Sequence, residues 1–286
     1  MKRLLTTLIF AGFCFVFTAK AQDYQSDKNR QEYKSPYHVE FSYSLDDLIG
    51  DIISGSRGNP KDESQISYFD WDSSFIRKKY GGFGPPIRHY PEFSGLSEKS
   101  PEWKRQRLIA VGLRFLGYPY QHHHVPDWAP PEDWPWKQVG EGRNTKGLDC
   151  SNFTTFIYDM AFGYRTSSDI KKQSEQLKIH IGRGEERYFE AKIIERPESY
   201  EDFPKKLRTA DLLYIKSHDE ITHVIIWVGD IGRSPDGTPL VLDSTGGSRK
   251  DCNGASIPNG IYLRPFSKDS WYFKGMDHAI RIIHGD

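Results

Sequence analysis

The sequence predicts an α+β protein in which helices precede a mostly antiparallel sheet. Helix-like runs near 101–116 and 150–163 come before strand-like runs beginning near 211, 221, 240, 260 and 279. No regular strand–helix–strand alternation links them, which argues against a parallel sheet with crossover helices. No internal repeat divides the chain.

The chain opens with Lys2 and Arg3, an apolar run from Leu4 to Phe17, and small residues at Ala19 and Ala21. That order predicts a secretory signal peptide over 1–21. The run is shorter than the roughly 20 apolar residues a bilayer requires, and no later segment approaches that length. A secreted or periplasmic protein with no membrane span is therefore expected. Cys14 follows the bulky Phe13, a poor fit to lipoprotein processing, so a free chain is expected rather than an anchored one.

Residues 22–100 are polar and turn-rich, with breaks at 54–60 and 81–86 and one short helix near Leu45 to Ile53. Tyr68, Phe69, Trp71, Phe75 and Tyr80 supply too much apolar surface to leave in water. The segment reads as an N-terminal extension packed on a main domain at 101–286. Ser100-Pro101-Glu102 is a helix start, with a capping hydroxyl and proline at the first position; Ile109, Leu113 and Leu116 then recur until Gly117. A loop dense in Pro and Trp runs from Tyr118 to Gly147. The next helix begins at Cys150 or Ser151 and repeats Phe153, Phe156 or Ile157, and Met160 on one face before Gly163. A charged, irregular segment follows, in which Lys205, Lys206 and Arg208 read as a solvated face. Strands are expected at 211–215, 221–228 and 240–243, with 260–263 and 279–283 completing the sheet.

The full chain carries 39 Lys and Arg against 39 Asp and Glu. Lys2, Arg3 and Lys20 leave with the leader, so the mature chain is mildly acidic. Nothing in that balance fits a nucleic-acid binder, whose surface is usually basic. Of three cysteines, only Cys150 and Cys252 remain after residue 21, enough for one disulfide at most. The fold must rest on an apolar core, and Cys252, in a loop rich in Gly and Asn, reads as an unpaired thiol.

Cys150 sits where a turn meets the start of an apolar helix. A helix N-terminus favours an anion, and the thiolate is the nucleophilic form of cysteine. Such a nucleophile needs a base, and the base needs an orienting group. His223 opens the apolar run His223-Val224-Ile225-Ile226-Trp227-Val228, and Asp243 ends Leu240-Val241-Leu242-Asp243. Alternation places His223, Ile225 and Trp227 on one face of their strand and Val241 and Asp243 on one face of theirs. Adjacent strands would then present His223 beside Asp243. Each residue alone has an ordinary structural account, as a small hydrophobe, a strand histidine and a turn cap.

Asp149-Cys150-Ser151 opening a helix, Ala210-Asp211-Leu212-Leu213 opening a strand, the run from His223 to Asp230, and Leu240 to Ser244 together resemble the NlpC/P60 cysteine peptidases. Leu116-Gly117-Tyr118-Pro119-Tyr120 and Arg165-Thr166-Ser167 with Gln173 are similar to two further motifs of that family. The resemblance covers about Glu102 to Ile283. It implies a papain-like fold with the nucleophile helix packed on the sheet, and hydrolysis of amide bonds in peptidoglycan peptides, often the bond from γ-D-glutamate to a diamino acid. By position it implies Cys150 as nucleophile, His223 as base and Asp243 as orienting residue. Tyr120 would line the pocket and help hold an oxyanion with the Cys150 N–H, and Asp149, Ser151, Arg165 and Thr166 would contact substrate. Three departures stand out. Asn152 occupies a position where the family usually has Gly, the spacing from Cys150 to Arg165 is short, and Thr166 stands where members that require a free N-terminal L-alanine tend to carry Asp.

His122-His123-His124 predicts no metal site, because adjacent side chains diverge and no Cys or carboxylate follows at ligand spacing. The aromatic loop at 125–136 must lie near the cleft mouth, either stacking on substrate or packing on the extension. A monomeric enzyme without cofactor is expected. The alternatives are an amidase or acyltransferase acting on another amide, and a non-catalytic wall-binding protein with the same fold.

Overall fold

The computed structural model describes residues 33–57, 89–117, 120, 148–184, 186–247 and 249–285. The expected signal peptide, the aromatic set from Tyr68 to Tyr80, the histidine run and the Pro- and Trp-rich loop lie outside these residues.

Along the chain come β1 (His38–Val39), α1 (Leu45–Ile53), α2 (Pro101–Leu113), α3 (Cys150–Phe162), β2 (Tyr164–Arg165), α4 (Ile170–Glu175), β3 (Lys178–Ile181), β4 (Tyr188–Glu190) and β5 (Lys192–Glu195). There follow α5 (Phe203–Lys206), β6 (Leu212–Ser217), β7 (Glu220–Trp227), β8 (Gly232–Arg233), β9 (Leu240–Thr245), β10 (Arg249–Lys250), β11 (Ser256–Ile257), β12 (Gly260–Pro265), α6 (Trp271–Gly275) and β13 (Met276–Arg281). The main sheet has six strands in the order β12-β9-β7-β6-β13-β5, every neighbouring pair antiparallel. A mixed helix and antiparallel-sheet architecture is thus as the sequence predicts. A smaller sheet joins β2, β3 and β4.

Local chemistry sets the helix ends. The Ser44 and Ser100 hydroxyls accept from the N–H groups of Asp47 and Trp103, each at 3.1 Å, and start α1 and α2. α2 ends at Leu113, earlier than Gly117, because the chain turns away there and Gly117 N–H donates to Ile261 O on β12 at 2.9 Å. Gly163 closes α3 with φ 76°, a left-handed value that glycine adopts without strain.

All thirteen residues of α3 are buried, which corrects the expectation of one apolar face. The helix is central, and its polar side chains find partners inside. Thr154 donates to Ser151 O at 3.1 Å, while Asp159 accepts from Tyr90 N–H at 3.1 Å and lies 3.0 Å from His89 Nδ1. The β-strand alternation splits the sheet residues between two clusters. Leu212, Tyr214, Val224, Ile226 and Leu242 share a core with α2 and α3. Leu213, Ile215, Ile225, Trp227 and Val241 pack with Phe203, Phe266 and Tyr272 in the other. The segment expected to be irregular contains β3, β4 and β5, whose residues are mostly exposed or half-buried and so carry a thin apolar signal.

The described part of the 22–100 segment joins the α3 core through Tyr37, Val39, Leu48, Ile49, Tyr90 and Leu96. Arg107 of α2, 1% exposed, ties it in: the guanidinium pairs with Asp51 at 2.8 and 2.7 Å and donates to Leu48 O and Ala161 O. Gly112 marks where α2, α3 and β9 meet, since a Cβ there would lie 2.6 Å from Leu242 Cδ2 and 3.4 Å from Ile157 Cδ1. Gly112→Val is therefore expected to cost roughly 1–3 kcal/mol by overpacking. Urea denaturation measures it, and an unchanged midpoint would contradict this packing.

Candidate active site

The start of α3 is fixed from both sides. Asp149 caps it, its Oδ1 accepting from Asn152 N–H at 2.9 Å and from Asn152 Nδ2 at 3.0 Å. Among the described residues, the buried Asn152 Oδ1 finds no hydrogen-bond partner. Just before the cap, Leu148 O accepts from Ser244 Oγ at 2.6 Å, which ties the entry to Cys150 onto β9 next to Asp243. Cys150 is the first helical residue, 6% exposed, with a free thiol.

His223 projects from β7 and is nearly buried. Its Nε2 lies 2.8 Å from Asp243 Oδ1, which leaves Nδ1 for the hydrogen bond to Cys150. In the β7–β9 register Trp227 pairs with Val241, so His223 and Asp243 are diagonal neighbours on one face. The ring rests against Trp271 at 5.1 Å and stacks on Tyr272 at 6.4 Å, both at the start of α6.

Asp243 is buried and has two further neighbours. Its Oδ2 accepts from Tyr272 Oη at 2.5 Å and faces Arg264 Nε at 3.7 Å. Arg264, fully buried, donates through Nη2 to Pro258 O at 2.8 Å and Gly260 O at 3.3 Å, while Nε and Nη1 make no hydrogen bond to the described residues. Burial pushes the Asp243 carboxyl up, but the His223 charge and hydrogen bond, Arg264 and the Tyr272 hydroxyl together hold it below the ordinary carboxylate value. Burial pulls the His223 ring down. The charges of Asp243 and Cys150, and hydrogen bonds to both, outweigh that and raise it to about 10.

Tyr120 lies half-buried beside this group. Burial raises its hydroxyl pKa first, followed by the charges of Cys150, Asp149 and Asp243. Its ring lies against Gly246, where a Cβ would come within 3.0 Å of it.

Segment 166–168 is fastened to the first two turns of α3. Ser151 Oγ donates to Ser168 O at 2.6 Å, and Thr155 Oγ1 lies 2.9 Å from Thr166 Oγ1 and donates to Ser167 O at 2.9 Å. Gln173 completes the fastening, its Nε2 donating to Ser167 O at 2.8 Å and Thr155 Oγ1 at 2.9 Å. Arg165 instead donates to Gly184 O and lines a separate cavity. The structure thus brings together Cys150, His223, Asp243, Tyr120 and Asp149, holds Ser151 and Thr166 nearby, and sends Arg165 elsewhere. Arg264, Tyr272 and Ser244 complete the group without having been read as site residues from the sequence. A charged residue inside the strand Ile261-Tyr262-Leu263-Arg264 was the available signal. Among the described residues, no group of three or more His, Cys, Asp or Glu side chains could hold a metal ion.

No family model matches the chain, and no curated protein matches it. Among solved structures it is similar to the NlpC/p60 domain of the peptidoglycan hydrolase SagA, at 16% identity and a TM-score of 0.33, over 62% of this chain and 98% of that one. No helix among the described residues is long and apolar enough to cross a membrane.

Proposed function

We propose that the chain is a secreted cysteine peptidase that hydrolyses amide bonds in peptidoglycan stem peptides, foremost the bond following γ-D-glutamate. One observation carries the reaction class: the His223 ring lies between the buried Asp243 carboxylate, 2.8 Å away, and the Cys150 thiol at the start of α3. The substrate class rests on the resemblance of the Asp149-Cys150-Ser151 and His223–Asp230 runs to the NlpC/P60 motifs. The leader read at 1–21 agrees with a substrate outside the cytoplasm.

In this reading Cys150 Sγ attacks the amide carbonyl carbon as a thiolate, forming a C–S bond while the carbonyl electron pair moves onto oxygen. The Cys150 backbone N–H, which as a first-turn group has no acceptor within its own helix, and the Tyr120 hydroxyl are the donors for that oxyanion. Collapse breaks the C–N bond as His223 gives its proton to the leaving nitrogen. Water, losing a proton to His223, then attacks the thioester, the C–S bond breaks, and the new carboxylate leaves. Asp243 orients the ring and stabilises its charged form throughout.

Asp243→Ala is expected to lower kcat on the order of 10²- to 10⁴-fold and leave measurable activity, since the nucleophile and base remain. A wild-type rate for this variant would remove Asp243 from the mechanism. The pH dependence has a definite sign. The folded value of His223 lies above the ordinary 6.5, so its charge stabilises the fold fully below about pH 6.5, and that contribution is lost as pH rises through about 10. The alkaline limb of kcat/KM is therefore expected near pH 10 in wild type and at lower pH in Asp243→Asn.

Mass spectrometry of products from purified muropeptides tests the function itself. Cleavage yielding a new amine and a new carboxylate supports it. Binding to cell-wall sacculi without release, by wild type and Cys150→Ala alike, would instead assign a wall-binding role. Thr166 offers no carboxylate to a free ammonium group, so muropeptides still carrying N-acetylmuramic acid are expected to be cut at least as well as free stem peptide.

A further inference from the structure

Asp243 stands between two cations. Its Oδ1 meets His223 Nε2 at 2.8 Å, while Arg264 Nε lies 3.7 Å from Oδ2, beyond hydrogen-bond range. Arg264 Nε and Nη1 find no hydrogen-bond acceptor among the described residues, so a carboxylate that turned toward them would be held firmly. A guanidinium–carboxylate bond closes to about 2.8 Å, and a movement of about 1 Å would therefore pass Asp243 from the imidazole to the guanidinium.

Tyr272 stands in the way of that movement. Its hydroxyl donates to Oδ2 at 2.5 Å, since a carboxylate only accepts, and so occupies the oxygen that faces Arg264. The side chain is 1% exposed, and burial, followed by the Asp243 charge, keeps the hydroxyl protonated. Its ring lies 15° from parallel to the His223 ring, with centroids 6.4 Å apart, so one residue lies against both partners. α6 fixes it there. Ser270 Oγ accepts from Phe273 N–H at 3.2 Å, a Cβ on Gly275 would come within 2.7 Å of Lys216 O on β6, and Arg196 donates to Met276 O just beyond. We propose that Tyr272 is a positioning residue whose hydroxyl keeps the Asp243 carboxylate on His223 and away from Arg264. The consequence for turnover rests on the peptidase reading, but the placement of the carboxylate does not. The other titratable or charged groups that face these residues, among those described, are Cys150 of α3, Tyr120 and Arg249 of β10.

Tyr272→Phe keeps the ring, and with it the packing against His223, and removes only the hydroxyl. Followed by NMR in this variant, the His223 ring is expected to titrate about one pH unit or more below its wild-type value of about 10, and kcat is expected to fall roughly 10- to 100-fold. A crystal structure of the variant is expected to show an Asp243 oxygen about 2.8 Å from Arg264 Nε and a lengthened contact to His223. Ser270→Ala is the control for a merely structural role: loss of the α6 cap should lower the urea midpoint and leave the ring titration where it is. A wild-type ring titration in Tyr272→Phe, an unmoved carboxylate, or an equal shift in Ser270→Ala each overturns the proposal. Should Tyr272→Phe fail to fold, the wild-type hydroxyl proton decides. A slowly exchanging NMR signal that Asp243→Asn abolishes is expected, and a hydroxyl that exchanges freely with solvent overturns the proposal. Absence of turnover on every peptide condemns the peptidase reading alone, because the ring titration and the variant structure need no substrate.

Discussion

If the proposed peptidase reading holds, Cys150→Ala and His223→Ala are each expected to reduce peptide hydrolysis to the uncatalysed background, a loss of at least about 10³-fold in kcat/KM. The two losses are not additive, because thiol and imidazole act as one unit and removing either ends covalent catalysis. Neither substitution should unfold the chain. The cap from Asp149 to Asn152 and the Ser244 bond to Leu148 O are made without the Cys150 side chain, so α3 keeps its start. His223 lies at the edge of the aromatic group formed by Trp271 and Tyr272, which retain their contact with each other at 5.0 Å. Circular dichroism together with product analysis checks both statements. Residual turnover in a correctly folded Cys150→Ala variant would transfer the chemistry to another group.

Arg264→Met is expected to cost about 3–5 kcal/mol in stability, the range for breaking a buried ion pair by deleting one partner. Asp243 is 1% exposed and Arg264 fully buried, so no water replaces the lost charge and only His223 and the Tyr272 hydroxyl still face the carboxylate. Asp243 would then lose part of what keeps it ionised, and with it part of its hold on a charged His223. Turnover is expected to fall by about tenfold or more, with Arg264→Lys recovering some of it. A structural role and a catalytic one separate in Arg264→Met with Asp243→Asn: removing both charges should restore much of the stability and none of the activity. Urea midpoints and kcat measured on the same preparations decide it, and a wild-type midpoint for Arg264→Met would contradict the ion pair.

The parts legible in the sequence were those fixed by short-range chemistry. Ser100-Pro101 announces a helix start through its capping hydroxyl and proline, and a second start was expected at Cys150 or Ser151; the structure begins these helices at Pro101 and Cys150. The runs at 211–215, 221–228 and 240–243 read as strands because β-branched and apolar residues alternate or fill them, and the structure has strands at Leu212–Ser217, Glu220–Trp227 and Leu240–Thr245. The nearness of His223 and Asp243 followed from alternation once their strands were assumed to be neighbours. Arg264 and Tyr272 were not legible, because their place depends on the β9–β12 register, where Val241 meets Arg264 and Asp243 meets Tyr262, and on the return of α6 over β7. The full burial of α3 was also hidden. Asn152, Thr154, Thr155 and Asp159 look solvent-facing in a linear reading, and only the long-range partners His89, Tyr90, Thr166 and Gln173 explain most of them inside.

The pairing of Cys150 with His223 is tested most directly by iodoacetamide labelling, because the chain carries its own control. Cys252 is exposed, and burial of its sulfur and then the charges of Asp251 and Asp236 raise its pKa. Peptide mass spectrometry at pH 7 gives both labelling rates in one sample. The expected result is that Cys150, although 6% exposed, reacts at least about tenfold faster than Cys252, and that Asp243→Ala narrows the gap. Cys252 labelling as fast as Cys150 or faster, in folded protein, would contradict an activated nucleophile at the start of α3.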